Sequence, residues 1–194
     1  MRGNCFLLAS DFDKAIADLT QAIKFGQSNA YIYSQRAAAY ASQDNHHGAI
    51  ADLTTAIQID PTNAYVYAIR GLLYSQTGDY KSGLSDCYRA VQLATNYDVG
   101  LNNLAWLLAT APDARQRDGQ KALGYAKRAC ELSQWKNAYC LGTLAAACAE
   151  TGNFEEAIKW EKQCISIGLP EKEMLQAYKK LELFKQQIPY HADK

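Results

Sequence analysis

The sequence predicts an all-α fold, a right-handed α-solenoid of about five helix–turn–helix units closed by a C-terminal capping helix. Three observations predict it. The stretch "NAYIYSQRAAAY" at 29–40 returns 34 residues later as "NAYVYAIRGLLY" at 63–74, and self-similarity at a fixed spacing of this size marks a repeat architecture. Small residues recur in step: Gly3, Ala37, Gly71 and Ala105 lie 34 apart, and Ala145 follows after 40. Within each unit, large and small apolar residues fall at helical spacing, as in Tyr33, Arg36, Ala37, Tyr40 and then Ala49, Ile50, Leu53, Ala56, Ile57.

The remaining small residues carry the template along the chain. Ala15, Ala49 and Gly83 are 34 apart, with Ala122 and Ala157 following at 39 and 35. Ala22, Ala56, Ala90, Ala129 and Cys164 run in parallel. A five-residue insertion therefore sits in the fourth unit, between Ala105 and Ala122, and one extra residue sits between the fourth and fifth. Two helices approach closely only where a side chain is nearly absent, which gives these positions a packing reason. The boundaries read as 1–28 for a truncated first repeat, 29–62, 63–96, 97–136 with the insertion, 137–169, and 170–194 for a capping helix and tail. The turns "SDFD" (10–13), "TGDY" (77–80) and "TGNF" (151–154) supply Gly, Asp or Asn where one helix stops and another is capped. In "DPTN" (60–63), Pro61 disfavours helix at Asp60. After Pro170, the residues Met174, Leu175, Tyr178, Leu181 and Phe184 form one stripe, the signature of an amphipathic capping helix. Met1 falls inside the first helix of the template, so the chain is expected to be a fragment of a longer protein or to begin on a shortened helix.

Composition narrows the function. Apolar residues make up 48% and charged residues 21%, which describes a folding chain rather than a disordered one. Lys plus Arg equals Asp plus Glu at 20 each, without the basic excess that a nucleic-acid surface needs. No window reaches about 18 consecutive apolar residues, and the N-terminal stretch is too short for a signal peptide. Cys5, Cys87, Cys130, Cys140, Cys148 and Cys164 form no CxxC and no zinc spacing. They read as small buried apolar residues in a reducing compartment, so a cytoplasmic location is expected. Neighbouring His46 and His47 point apart and do not chelate together. There is no phosphate loop. No catalytic residue, cofactor site or metal site is expected.

The pattern resembles the tetratricopeptide repeat, a helix–turn–helix unit of about 34 residues. The second unit matches its template at Tyr33, Ala37, Tyr40, Ala49, Ala56 and Pro61. The third matches at Tyr67, Gly71, Tyr74, Gly83 and Ala90, with Thr95 in place of the proline. The fourth and fifth depart most, and are similar to the terminal repeats of bacterial members, whose longer turn carries a comparable Pro-Asp and Arg-Asp-Gly. The resemblance implies a protein-interaction scaffold whose concave wall is lined by first helices. It places Tyr31, Gln35, Ala38, Tyr65, Ile69, Leu72, Asn102, Asn103, Trp106 and Tyr139 on that wall, with a protein or peptide as partner. An alternative is that the tyrosines only pack between adjacent first helices. The slots that hold cations in members binding acidic chaperone C-termini are Ser34, Tyr65 and Ile69 here, which argues against that partner. Pro112 to Gln120, with Asp113, Arg115, Arg117 and Asp118, is a second candidate surface or merely a lengthened turn. The rival roles are a spacer or oligomerisation module, and the regulatory tail of a larger enzyme.

One further pattern comes from the repeats themselves. Arg2, Arg36 and Arg70 each precede an aspartate by 16 residues: Asp18, Asp52 and Asp86. In the fourth and fifth units, the arginine slot holds Leu104 and Leu144 while the aspartate slot holds Tyr125 and Trp160. Charge travels with charge and apolar with aromatic, so the two slots are expected to touch, as structural pairs rather than as a catalytic site.

Overall fold

The computed structural model describes residues 11–192. Arg2, Gly3, Asn4 and Cys5, and with them the first helix of the expected first repeat and the pairing of Arg2, lie outside the described residues. The described residues are helical with no strand. They form two compact units, one up to Leu93 and one from Ala94.

The first unit holds α1 (Phe12–Lys24), α2 (Ala30–Ser42), α3 (His46–Ile59), α4 (Ala64–Gln76) and α5 (Tyr80–Leu93). The repeated "NAY" begins with a helix cap. The Asn29 side chain accepts from the Ile32 N–H, and the Asn63 side chain accepts from the N–H groups of Tyr65 and Val66. Each satisfies donors that the first turn leaves orphaned. Asp11 and Asn45 cap α1 and α3 in the same way. α3 ends at Ile59, directly before the Asp60–Pro61 pair. Between α4 and α5 the chain turns through Gly78 at φ +87°, and the matching turn between α2 and α3 puts Asp44 at φ +56°. α2 packs on α1 and α3, and α4 on α3 and α5. Ala37, Ala49, Leu53, Ala56, Val66 and Leu73 form a core, with Tyr33, Tyr40, Ile50, Ile57 and Ile69 packed against it. Gly71 marks a close crossing. A Cβ there would lie 2.7 Å from Cys87 Sγ and 2.9 Å from the Gly83 carbonyl, so α4 and α5 meet with no room for a methyl group.

The second unit holds α6 (Asp98–Thr110), a 3-10 turn (Ala114–Gln116), α7 (Gly119–Leu132), α8 (Ala138–Glu150), α9 (Phe154–Ile167) and α10 (Glu171–Lys185). α8 is its centre, buried at Ala138 and throughout Cys140–Ala149. The 3-10 turn falls within the insertion. The extra residue before α8 is taken up at Gln134 and Trp135, both at positive φ (+53° and +61°). Trp135 stacks on Trp160, with ring centroids 5.1 Å apart. α10 caps the unit against α9, with a face that differs from the expected stripe. Ala177, Lys180, Leu181 and Phe184 are buried, while Leu175 and Tyr178 are more than half exposed. The rotation brings Lys180 inward, onto Glu161 of α9.

Candidate functional site

In the first unit, Arg36 meets Asp52 in a bidentate ion pair. Its Nε and Nη2 donate to Oδ2 and Oδ1, both at 2.7 Å. The third nitrogen, Nη1, donates to Thr20 Oγ1 on α1 at 3.0 Å. Thirty-four residues on, the arrangement repeats. Arg70 donates to Asp86 at 2.7 and 2.9 Å and to Thr54 Oγ1 at 3.0 Å. Each arginine thus ties three helices: its own, the second helix of its own repeat, and the second helix of the repeat before. Thr54 spends its own proton on the Ile50 carbonyl, which leaves its oxygen free to accept from Arg70. The guanidinium also lies over two rings. Arg36 Cζ is 5.7 and 5.9 Å from the Tyr33 and Tyr40 centroids, and Arg70 Cζ is 5.8 and 5.6 Å from those of Tyr67 and Tyr74. Fork geometry and ring faces are what arginine offers and lysine does not. The Asp52 hydrogen bonds raise the pKa of Arg36 further above its ordinary value. For Arg70, burial opposes the charge, but Asp86 more than compensates.

The second unit has no such arginine. Leu104 and Leu144 stand in that slot, both fully buried. Its charges are placed elsewhere. Lys180 Nζ reaches Glu161 Oε1 at 2.9 Å, and Glu161 is 0% exposed. Burial pushes the Glu161 carboxyl up, against the pull of Lys180. Gly142 makes room for the ammonium, since a Cβ there would lie 3.2 Å from Nζ. Arg117, from the insertion, pairs with Glu150 at 2.8 Å, and its Nη1 donates to the carbonyls of Ala111 and Pro112 just past α6. Both networks escaped the sequence reading, although a signal existed. Glu161 stands at helical spacing between Ala157 and Cys164, and Lys180 between Ala177 and Phe184. An acid and a base in apolar stripes ask for each other.

The residues expected on the binding wall divide between the units. In the first, Tyr31 and Tyr65 are 58% and 50% exposed. Gln35, Ala38 and Leu72 are half-buried, and Ile69 packs against the core. In the second, Tyr139 is exposed and Asn102 half-buried. Two expectations are corrected there. Asn103 is buried. Trp106 is not open wall: Tyr190 covers its ring at 5.8 Å between centroids, and Lys180 Nζ lies 5.5 Å from it. For Trp106 the reason is that Lys180 of α10 and Tyr190 of the segment after it both reach its ring. The buried cysteines Cys87, Cys130, Cys140, Cys148 and Cys164 are unpaired thiols. Burial pushes Cys87 and Cys130 up to about 12, so they stay protonated and unreactive. Among the described residues, no group of three or more His, Cys, Asp or Glu could hold a metal ion, and no helix is long and apolar enough to cross a membrane.

Helical hairpins repeated in one register define an α-solenoid built of hairpin repeats. Sequence models narrow the class: one described as "TPR repeat" matches residues 39–78 and one described as "Tetratricopeptide repeat" matches 64–97. The chain carries tetratricopeptide repeats over residues 39–97. Solved structures share its fold. The MamA protein matches with a TM-score of 0.68 at 19% identity over 90% of each chain. PilF of Pseudomonas aeruginosa matches with a TM-score of 0.72 at 16% identity, over 95% of this chain and 82% of that one. YrrB, titled a TPR protein with an unusual peptide-binding site, matches with a TM-score of 0.66 at 19% identity, over 91% and 88%. No curated protein matches the sequence.

Proposed function

We propose that this chain is a non-catalytic interaction scaffold that takes a peptide or helix of a partner protein on the first-helix wall of its first unit. Tyr31, Gln35, Ala38, Tyr65, Ile69 and Leu72 are its contact residues. The observation that carries the reading is the pair Tyr31 and Tyr65. They stand at the same slot of successive first helices, and each leaves about half its surface open. Rigid amphipathic rings repeated at a fixed spacing suit a partner segment that runs across the repeats. No Lys or Arg stands among these six positions, so an apolar segment with free backbone groups fits better than an acidic tail. The fold likeness to YrrB, with its peptide-binding site, supports the reading by analogy. The test is a pull-down with wild type and Tyr31→Ala/Tyr65→Ala, after matching their circular dichroism and melting temperatures. Proteins retained by wild type and lost by the variant are expected. Identical retention by both would remove the wall from the account.

A further inference from the structure

The segment after α10 turns back over the second unit. Gln187 takes φ +59°, and the Ile188 N–H donates to the Leu183 carbonyl at 3.0 Å, which reverses the chain. The next residues then make three contacts of different kinds. The Tyr190 ring lies on Trp106 at 5.8 Å and 33°. His191 Nε2 lies 2.7 Å from Glu150 Oε2. The Ala192 N–H donates to the Thr110 carbonyl at 2.8 Å. A ring, an imidazole and a backbone donor at consecutive residues are how an extended peptide is read by a groove.

The receiving surface is held in place by other parts of the chain. Arg117 takes Glu150 Oε1 at 2.8 Å, which leaves Oε2 turned to the histidine. The same guanidinium fixes the carbonyls of Ala111 and Pro112 beside Thr110. Trp106 rests on Lys180 at 5.5 Å. The insertion therefore has a use: it supplies Arg117, which orients the carboxylate. The occupant, by contrast, is lightly held. α10 anchors itself with fully buried Phe184 and with Ala177 and Leu181, whereas none of residues 186–192 is buried.

We propose that residues 189–192 are a displaceable strap filling a peptide subsite of Trp106, Thr110 and Glu150. When the strap lifts, the subsite takes an extended partner segment that presents an aromatic residue followed by a cationic one. The charge of the partner follows from the Glu150 carboxylate, and its extended form from the Thr110 carbonyl, which needs a backbone donor. The proposal rests on the reading that first-helix walls of this protein take peptides, and adds that the second unit's wall is regulated by its own chain.

The test uses the full chain and a fluorescein-labelled synthetic peptide with the sequence of residues 186–194. Binding is followed by fluorescence polarisation for wild type and for Tyr190→Ser/His191→Ser. A tethered competitor acts at an effective concentration of order millimolar, so the variant is expected to bind at least about ten-fold more tightly than wild type. A peptide with serine at both positions is expected not to bind. A variant with wild-type circular dichroism and melting temperature that binds neither peptide, or both alike, would overturn the proposal. Should that variant fail to fold, hydrogen exchange of wild type decides. Exchange of 186–192 at least about ten-fold faster than 177–185 supports a separable strap, and exchange of both at one rate overturns it. No cellular partner enters either measurement, so failure here is distinct from failure of the first unit's wall in the pull-down.

Discussion

The two units solve the same packing problem with opposite chemistry. In the first, an arginine fills the slot, bonded to an aspartate and a threonine and flanked by two tyrosine rings. In the second, leucines fill it, and Leu101, Leu108, Leu141 and Cys148 stand where the first unit has its tyrosines. The backbone tolerates either set because each is internally complete. A guanidinium needs its carboxylate, its hydroxyl and its rings, and a leucine needs none of them. The second unit also packs its first helices α6 and α8 directly together, and α8 is buried with small residues such as Ala145, Ala146 and Ala149. Its charges are then free to hold the cap and the strap.

The largest expected effect lies in the second unit. Lys180→Met strands Glu161 in the interior and is expected to cost about 3–5 kcal/mol in urea unfolding at neutral pH. Lys180→Met/Glu161→Met is expected to recover most of it or to exceed wild type. The sign with pH is fixed. A carboxyl whose pKa is raised on folding favours the folded state fully below its ordinary value of 4.5 and loses that advantage as pH rises through the raised value. The loss in Lys180→Met should therefore grow from acid to neutral pH.

In the first unit, Arg70→Leu leaves Asp86 without its fork and is expected to cost about 3 kcal/mol. Leu104 is already apolar, so Leu104→Met is expected to cost less than about 1.5 kcal/mol. A similar loss at both positions would erase the contrast between the units. Thr54→Val removes one acceptor from Arg70 and keeps the volume, for a loss of about 1 kcal/mol by the same unfolding curves. The smallest effect is a gain. Asp44→Gly relieves a positive φ that its counterpart Gly78 meets without strain, and is expected to raise stability by up to about 1 kcal/mol.

Much of this fold was legible because a repeat protein states its rules several times. Asn29 and Asn63 cap the same helix twice, and Pro61 ends α3 where its steric demand requires. The spacing of Arg36 to Asp52 recurs in Arg70 to Asp86, so internal comparison could propose a contact that one copy would not. Features that occur once were missed, even where a fainter signal was present. Lys180 and Glu161 meet across two helices with no second copy to compare. The nine residues after α10 carry no periodicity, so nothing in the sequence showed that Tyr190 returns to Trp106. The stripe of α10 was misread because a buried lysine counts as polar in any hydrophobic pattern, although its ammonium is paired inside.

The account's central claim is that the slot pairs are interchangeable as sets and not as single residues. The measurement closest to it is a double-mutant cycle that moves the second unit's solution into the first: Arg70→Leu, Asp86→Tyr, and both together, each unfolded in urea. The predicted result is a double variant more stable, by about 2 kcal/mol, than the sum of the two single losses allows. Losses that simply add, within about 0.5 kcal/mol, would contradict it.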